Sequence, residues 1–289
     1  METVYLGIIL FLFMLAVFDL VVGVSNDAVN FLSSAVGAKV APYRVIMWIA
    51  ATGILCGALM SNGMMEIARH GIFRPEQFFF QELLCIFLAV MVTDVIILDV
   101  FNTLGLPTST TVSMVFGLLG AAVAAALHRI WVDPAFELSN LSQFINSGKA
   151  MVIIAAILVS VALAFGAGIL FMYISRLIFS FRYAPAFRRY GAVWCGISFA
   201  GIIYFALFKG LKTVLAGLAF IRFIDQHLLL SLFICWVGCS LLLFFIQRLK
   251  INILRITILA GTFSLALAFA GNDLVNFIGV PLAGYDSYR

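Results

Sequence analysis

The sequence predicts an all-α, polytopic membrane protein. Of its 289 residues, 64% are hydrophobic and only 10% are charged, and the mean hydropathy is +1.17. Soluble domains carry about 25% charged residues, so this chain lacks the charge that a water-exposed surface needs. Most of its apolar runs are close to the length of about 20 residues that a helix needs to cross a bilayer. A polar motif occurs twice beside such runs, which predicts inverted repeats with interrupted or re-entrant helices around a binding site.

Eight apolar helices are predicted along the chain. They cover roughly residues 3–24, 43–60, 80–104, 108–128, 150–175, 193–208, 228–248 and 253–271. The N-terminus is interpreted as a retained span, because Glu2 stands where a cleavable signal has basic residues. The polar segments 25–38 and 272–284 are too short and polar to span alone, so we expect them to be interrupted or re-entrant.

Three regions follow from this reading. We expect a first transmembrane repeat over 1–175, a connecting loop and linking helices over 176–252, and the start of a second repeat over 253–289. If all eight helices cross, the first and last run in opposite directions, as inverted repeats require. The short second copy predicts that the chain is the N-terminal part of a longer protein. Four arginines between Arg176 and Arg189 place that loop in the cytoplasm and the N-terminus outside an inner, or cell, membrane.

Composition also excludes several functions. A net charge of +4 indicates no nucleic-acid partner, and the five cysteines lie in apolar runs, which argues against a disulfide framework. The chain carries no phosphate-cradling P-loop, nucleophile elbow or HExxH zinc motif, so we expect neither an enzyme nor an organic cofactor.

The repeated motif reads Asn-Asp-x-Val-Asn-Phe, at residues 26–31 and again at 272–277; we call the two copies the first and second signatures. On a helix, the oxygens of Asp27 and Asn30 fall on one face, and Asp273 and Asn276 repeat that spacing. Carboxylate and amide oxygens suit a hard cation such as Na⁺. The alternative is a helix cap, but two near-identical copies make capping alone a weak explanation.

A second constellation follows Pro107, where Thr108, Ser109, Thr110 and Thr111 precede an apolar helix. The N-terminus of a helix directs N–H groups and a positive dipole end outward, which favours anions, and hydroxyls add neutral donors. Taken alone, this segment is explained better as an ordinary Ser/Thr cap.

The charges of these motifs predict coupling. The signatures carry two aspartates, and neither they nor the Ser/Thr segment contains Lys or Arg. A bound anion therefore needs cations held by Asp27 and Asp273, which predicts cation-coupled anion symport. Three further acids lie in predicted spans and are candidates for the transport pathway or a proton route, or else pair with a neighbouring helix: Asp19, Asp94 and Asp99.

The paired signatures and the Pro-x-Ser-Thr-Thr run resemble the inorganic phosphate transporter (PiT) family of cation–phosphate symporters. The three motifs occur in that family's order, and the Arg188–Lys212 stretch resembles members from Bacteroidetes. The resemblance implies phosphate uptake with Na⁺ or H⁺ by alternating access. It further implies that phosphate is held by Ser109, Thr110 and Thr111, with Asn26 and Asn272 beside it, and that cations are held by Asp27, Asn30, Asp273 and Asn276. A second Ser-Thr-Thr segment would then follow residue 289.

The expected partners are inorganic phosphate and the lipid bilayer, with a homodimer as one option for assembly. Two alternatives stay open: a symporter of a related oxyanion such as sulfate or arsenate, and a non-transporting membrane subunit.

Overall fold

A computed structural model describes residues 2–59, 72–133, 137–180, 183–205, 224 and 226–288. Within them the chain forms ten α-helices. These are α1 (Glu2–Gly37), α2 (Tyr43–Leu59), α3 (Phe80–Thr103), α4 (Thr110–Val132), α5 (Leu141–Phe144), α6 (Ser147–Ile178), α7 (Tyr183–Phe205), α8 (Leu228–Arg248), α9 (Ile253–Asn272) and α10 (Leu274–Tyr288). The expected all-α class is confirmed.

Among the described residues, six helices are long and apolar enough to cross a membrane. They are α1, α3, α4, α6, α8 and α9, and α2 is a shorter apolar helix. The predicted sixth helix corresponds to α7, which begins at Tyr183, ten residues before the expected start at 193. The predicted end of this helix, residues 206–208, lies outside the described residues, as does the apolar stretch 210–221. The chain is therefore a multi-pass membrane protein, and the inverted relation of its repeats stays a prediction.

The predicted end of the first helix at residue 24 is wrong. Helix α1 continues for 36 residues to Gly37 and contains the whole first signature. Its polar residues fit a helix because their groups find partners: Ser25 Oγ donates to the Val21 carbonyl at 2.9 Å, one turn back. The second signature does lie at an interruption, because Asp273 occupies a turn between α9 and α10.

The chain folds as two compact units that are interleaved along the sequence. Unit 1 comprises residues 1–29, 62–161 and 272–289, and unit 2 comprises residues 30–61 and 162–271. The core of unit 1 joins α1, α3, α4 and α10 through buried residues such as Leu12, Phe87, Leu118 and Val280. Unit 1 also contains Asn26, Asp27 and Asp273, so it holds described residues of both signatures.

Glycines allow helices of unit 2 to approach closely. Gly53 and Gly57 lie one turn apart on α2, and a Cβ on Gly53 would come within 2.6 Å of the Phe263 carbonyl of α9. A Cβ on Gly196 of α7 would likewise overlap Ser240 of α8. Small residues at such positions let membrane helices pack backbone to backbone.

Candidate functional site

Asn26 of the first signature is bonded to the turn between α3 and α4. Its side chain is only 4% exposed. Its Nδ2 donates to Asn102 Oδ1 at 2.9 Å and to the Leu106 carbonyl at 3.2 Å, and its Oδ1 accepts from the Thr108 N–H at 2.9 Å. Both amide hydrogens are thus used, so Asn26 fixes α1 against the start of α4. Its predicted contact with phosphate stays a prediction.

The same turn is tied back to α1 by Asn102. The Nδ2 of Asn102 donates to the Val22 carbonyl at 2.9 Å. The turn itself needs Gly105, whose φ of +67° lies in the left-handed region that glycine adopts without a Cβ clash. The amides of Asn26 and Asn102 therefore hold each other and the turn that leads into α4.

The first residues of α4 divide into a cap, a buried residue and a ligand-facing candidate. Ser109 is the N-cap, with an extended backbone (φ −97°, ψ 115°), and its Oγ accepts from the Val112 N–H at 3.3 Å. This is the helix-capping role that the sequence of the Ser/Thr segment, taken alone, favours. Thr110 is 2% exposed and buried, so its hydroxyl is not presented to solvent. Thr111 is half-buried and remains the best placed hydroxyl for contact with a ligand.

Thr111 links α4 to the second signature. Its Oγ1 donates a hydrogen bond of 2.7 Å to Asp273 Oδ1. A bond to a carboxylate is short and roughly twice as strong as one between neutral groups. The predicted anion-binding end of α4 and a predicted cation ligand therefore lie in direct contact.

The other signature residues lie in different settings. Asp27 is 7% exposed, whereas Asn30, one turn later on α1, is exposed. Asn272 is the last residue of α9 and Asn276 lies in the first turn of α10; their side chains fall outside what the structure describes. The predicted convergence of Asp27 with Asn30, and of Asp273 with Asn276, thus stays a prediction.

Asp19 of α1 and Asp94 of α3 form a buried carboxyl pair, with exposures of 0% and 2%. The two groups lie within interaction reach of each other, and the Ser113 hydroxyl of α4 lies beside Asp94. None of the four carboxyl oxygens accepts a hydrogen bond from a described donor. Asp99, by contrast, is exposed on α3. Of the three predicted pathway acids, the fold therefore brings two together and leaves the third apart.

Comparison with known proteins identifies the family. A model of the phosphate transporter family matches residues 23–289, which is most of the chain. The chain belongs to the phosphate transporter family. No curated protein gave a match.

A solved structure shares the fold of this phosphate transporter family member. It is described as "the sodium-dependent phosphate transporter", and the two align with a TM-score of 0.68 at 15% sequence identity. The alignment covers 95% of this chain and 67% of that one. At this identity the likeness establishes the fold alone.

Two contacts of this family member escape prediction from sequence. Asn102 was not predicted to bond Asn26, and Ser113 was not predicted to join the Asp19–Asp94 pair. Both are polar residues within apolar helices, where such groups are costly unless they have a partner. That cost marks them as contact residues, but the identity of the partner comes only from the fold.

Proposed function

We propose that this chain takes up inorganic phosphate by symport with a cation, Na⁺ or H⁺, and that it does so by alternating access. The observation that carries the proposal is the 2.7 Å hydrogen bond between Thr111 and Asp273. It joins the N-terminal end of α4, which suits an anion, to a carboxylate, which suits a cation. An ion-coupled transporter needs these two properties at one place, and an enzyme or structural subunit does not.

Charge balance explains why the site couples two ions. Asp27 and Asp273 are both acidic, and Thr111, which donates the described hydrogen bond to Asp273, is neutral. Phosphate and the two carboxylates are all negatively charged, so they repel one another strongly in a medium of low dielectric constant. Cations at the two aspartates remove that repulsion, so they bind first and phosphate follows.

Carboxylates also favour phosphate over sulfate. An ionised carboxylate only accepts hydrogen bonds. Phosphate near neutral pH keeps a protonated oxygen that can donate to Asp273, whereas sulfate has none. Arsenate shares the protonated oxygen, so we expect it to compete with phosphate for uptake while sulfate does not. Competition by sulfate but not by arsenate would favour a sulfate symporter over a phosphate symporter.

The Asp19–Asp94 pair is proposed to belong to the same pathway. Two buried carboxyl groups within interaction reach of each other cannot both be ionised unless a cation lies beside them; otherwise one of them carries a proton. We expect Asp94→Asn to impair uptake under one kind of gradient. If the variant loses phosphate uptake only under a proton gradient, the pair binds a proton. If it loses uptake only under a Na⁺ gradient, the pair binds Na⁺. Normal uptake under both gradients would show that the pair is not part of the pathway.

Uptake of radiolabelled phosphate into proteoliposomes tests the proposal. The protein is expressed from its complete reading frame, and uptake is compared under an inward Na⁺ gradient, an inward proton gradient and no gradient. We expect saturable uptake that requires at least one gradient. Folded protein that shows no uptake under either gradient, or uptake that is unchanged without one, would overturn the assignment.

Placement in the membrane completes the proposal. We place the protein in the inner, or cell, membrane with the segment between Arg176 and Arg189 in the cytoplasm and the N-terminus outside. A homodimer is the assembly that we propose for it. The orientation is tested by replacing Lys39 or Lys149 with cysteine and labelling the thiol from either side of the membrane. The assembly is tested by cross-linking in proteoliposomes.

A further inference from the structure

A large cavity in unit 2 lies apart, in sequence, from every residue of the two signatures. Its volume is about 1010 Å³, and its walls come from the start of α7, the end of α8 and the start of α9. Sites for small molecules typically measure about 300–1,000 Å³, so this cavity has room for a sizeable ligand.

The cavity is strongly basic. Among the described residues that line it, four carry positive charge and none is acidic; the four are Arg188, Arg189, Arg248 and Lys250. All four are exposed, and in the described part of the chain none of them forms an ion pair. Four like charges around one space repel each other, so the arrangement favours an anionic ligand.

The backbone and aromatic rings hold these charges in place. The Arg248 guanidinium lies 5.0 Å from the centre of the Phe244 ring, and Arg189 lies 5.6 Å from that of Tyr190. Lys250 has a φ of 61°, a left-handed conformation that is uncommon for any residue other than glycine. A basic side chain thus occupies a turn position where glycine would fit with less strain.

Helix α9 adds a second attraction for an anion. It begins at the cavity, where Asn252 Oδ1 accepts from the Arg255 N–H at 3.2 Å and caps the first turn. The positive end of the α9 dipole therefore faces the same space as the basic side chains. The negative end of α8 also lies there, and Arg248 and Lys250 offset it.

The rim of the cavity is apolar. Tyr183, Phe244, Ile251 and Leu254 line it and are exposed by 56%, 42%, 49% and 37%. The adjoining face of α8 is also exposed and apolar, as at Leu241 and Phe245. A small, fully hydrated anion gains nothing from such a rim, whereas an amphiphile with an anionic headgroup buries its acyl chains against it.

We propose that this cavity binds the headgroup of an anionic phospholipid. Arg188, Arg189, Arg248 and Lys250 contact the phosphate, and the acyl chains lie along the apolar face of α8. Basic pockets between membrane helices bind anionic lipid headgroups by this combination of charge and amphipathic surface. The ligand chemistry, a phosphate ester, is shared with free phosphate, and the experiment below separates the two.

Binding of fluorescent phosphatidylglycerol to the purified full chain in a neutral detergent tests the proposal. The test variant replaces the four cavity residues by Gln: Arg188, Arg189, Arg248 and Lys250. The matched control replaces three arginines and one lysine of unit 2 that do not line the cavity: Lys39, Arg44, Arg176 and Arg255. Both variants lose the same charge, so only position distinguishes them.

We expect the cavity variant to bind phosphatidylglycerol at least about tenfold more weakly than the control variant, since each basic side chain at a membrane surface contributes about fivefold. Binding of phosphatidylcholine should be weak to all three proteins. Equal affinities of the two variants for phosphatidylglycerol would overturn the proposal. Displacement of the lipid by millimolar inorganic phosphate would also overturn it and would assign the cavity to free phosphate.

Folding of the variants is checked by size-exclusion chromatography and thermal unfolding without lipid. If the cavity variant with four substitutions does not fold, the single variant Arg189→Gln is compared with the single control variant Arg176→Gln by the same assay. A salt titration of the unmodified chain gives an independent readout. Phosphatidylglycerol binding should weaken as NaCl rises, and binding that is independent of salt would contradict a basic headgroup site.

Discussion

The two signatures share a sequence pattern but differ in the backbone that carries them and in the contacts that the described residues make. The first lies inside the unbroken helix α1 and contacts the segment before α4 through the amide of Asn26. The second lies at the break between α9 and α10 and contacts α4 through the carboxylate of Asp273. Among the described residues, the first signature therefore reaches the start of α4 with an amide and the second with a carboxylate.

The difference follows from what surrounds each copy. Ser25 precedes the first signature and bonds back to the Val21 carbonyl, which a helix accommodates. Gly271 precedes the second, and glycine weakens a helix interior. A motif therefore fixes which chemical groups are present, while its neighbours fix the backbone that presents them.

The largest expected effect is on coupling. Asp27→Asn and Asp273→Asn each remove one negative charge while keeping the shape of the side chain, so a cation that neutralised it is no longer held. Both variants should reduce gradient-driven phosphate uptake by more than about 100-fold, which corresponds to about 3 kcal/mol. Uptake into proteoliposomes measures this.

Asp286→Asn is the matched control for these two variants, because Asp286 is an exposed carboxylate on α10. It should leave uptake within about twofold, as expected for an exposed surface position. Normal uptake by both signature variants would remove the assigned site. Normal uptake by only one would show that the two copies are unequal in function as well as in structure.

Part of this site follows from the sequence alone. The helix start just after Pro107 and the choice of both signatures as site candidates are predicted from residue types, because helix starts and buried polar groups have strong local preferences. The break expected at residue 24 is wrong because local polarity does not reveal that Asn26 has three partners far along the chain. Pairings such as Thr111 with Asp273 depend on the fold.

Loss of the Asn26 amide should have the largest effect on stability. Asn26→Ala leaves Asn102, the Leu106 carbonyl and the Thr108 N–H without their buried partner. We expect a loss of about 2–4 kcal/mol in the free energy of unfolding, since each buried group left unsatisfied costs about 1–3 kcal/mol. Unfolding in detergent measures it.

The matched control for Asn26→Ala is Asn252→Ala, whose exposed amide caps only its own helix. It should cost about 1 kcal/mol, as for other N-caps. If the two variants lose equal stability, the bonds of Asn26 to the α3–α4 turn are not the anchor of the first signature.

Thr111→Val tests the contact that the second signature makes. It keeps the shape of the side chain and removes the hydrogen bond to Asp273, which should cost about 1.5–3 kcal/mol because the acceptor is charged. The apparent Michaelis constant for phosphate should rise in the uptake assay. Thr52→Val is the control, since Thr52 is exposed and its described hydrogen bond is to the Ile49 carbonyl of its own helix. An unchanged Michaelis constant and stability in Thr111→Val would mean that the contact contributes to neither binding nor folding.

The smallest expected effect concerns the packing between the segments that carry the two signatures. Gly23 of α1 lies three residues before Asn26, and a Cβ there would overlap the ring of Phe277, the last residue of the second signature. Gly23→Ala should therefore cost about 1–3 kcal/mol through overpacking. Gly7→Ala on the same helix meets nothing within 4 Å and should be neutral or stabilise by about 0.4–1 kcal/mol. Because the two substitutions add the same methyl group to one helix, a difference in their unfolding midpoints isolates the contact with Phe277. Equal midpoints would mean that the segments carrying the two signatures do not depend on this close approach.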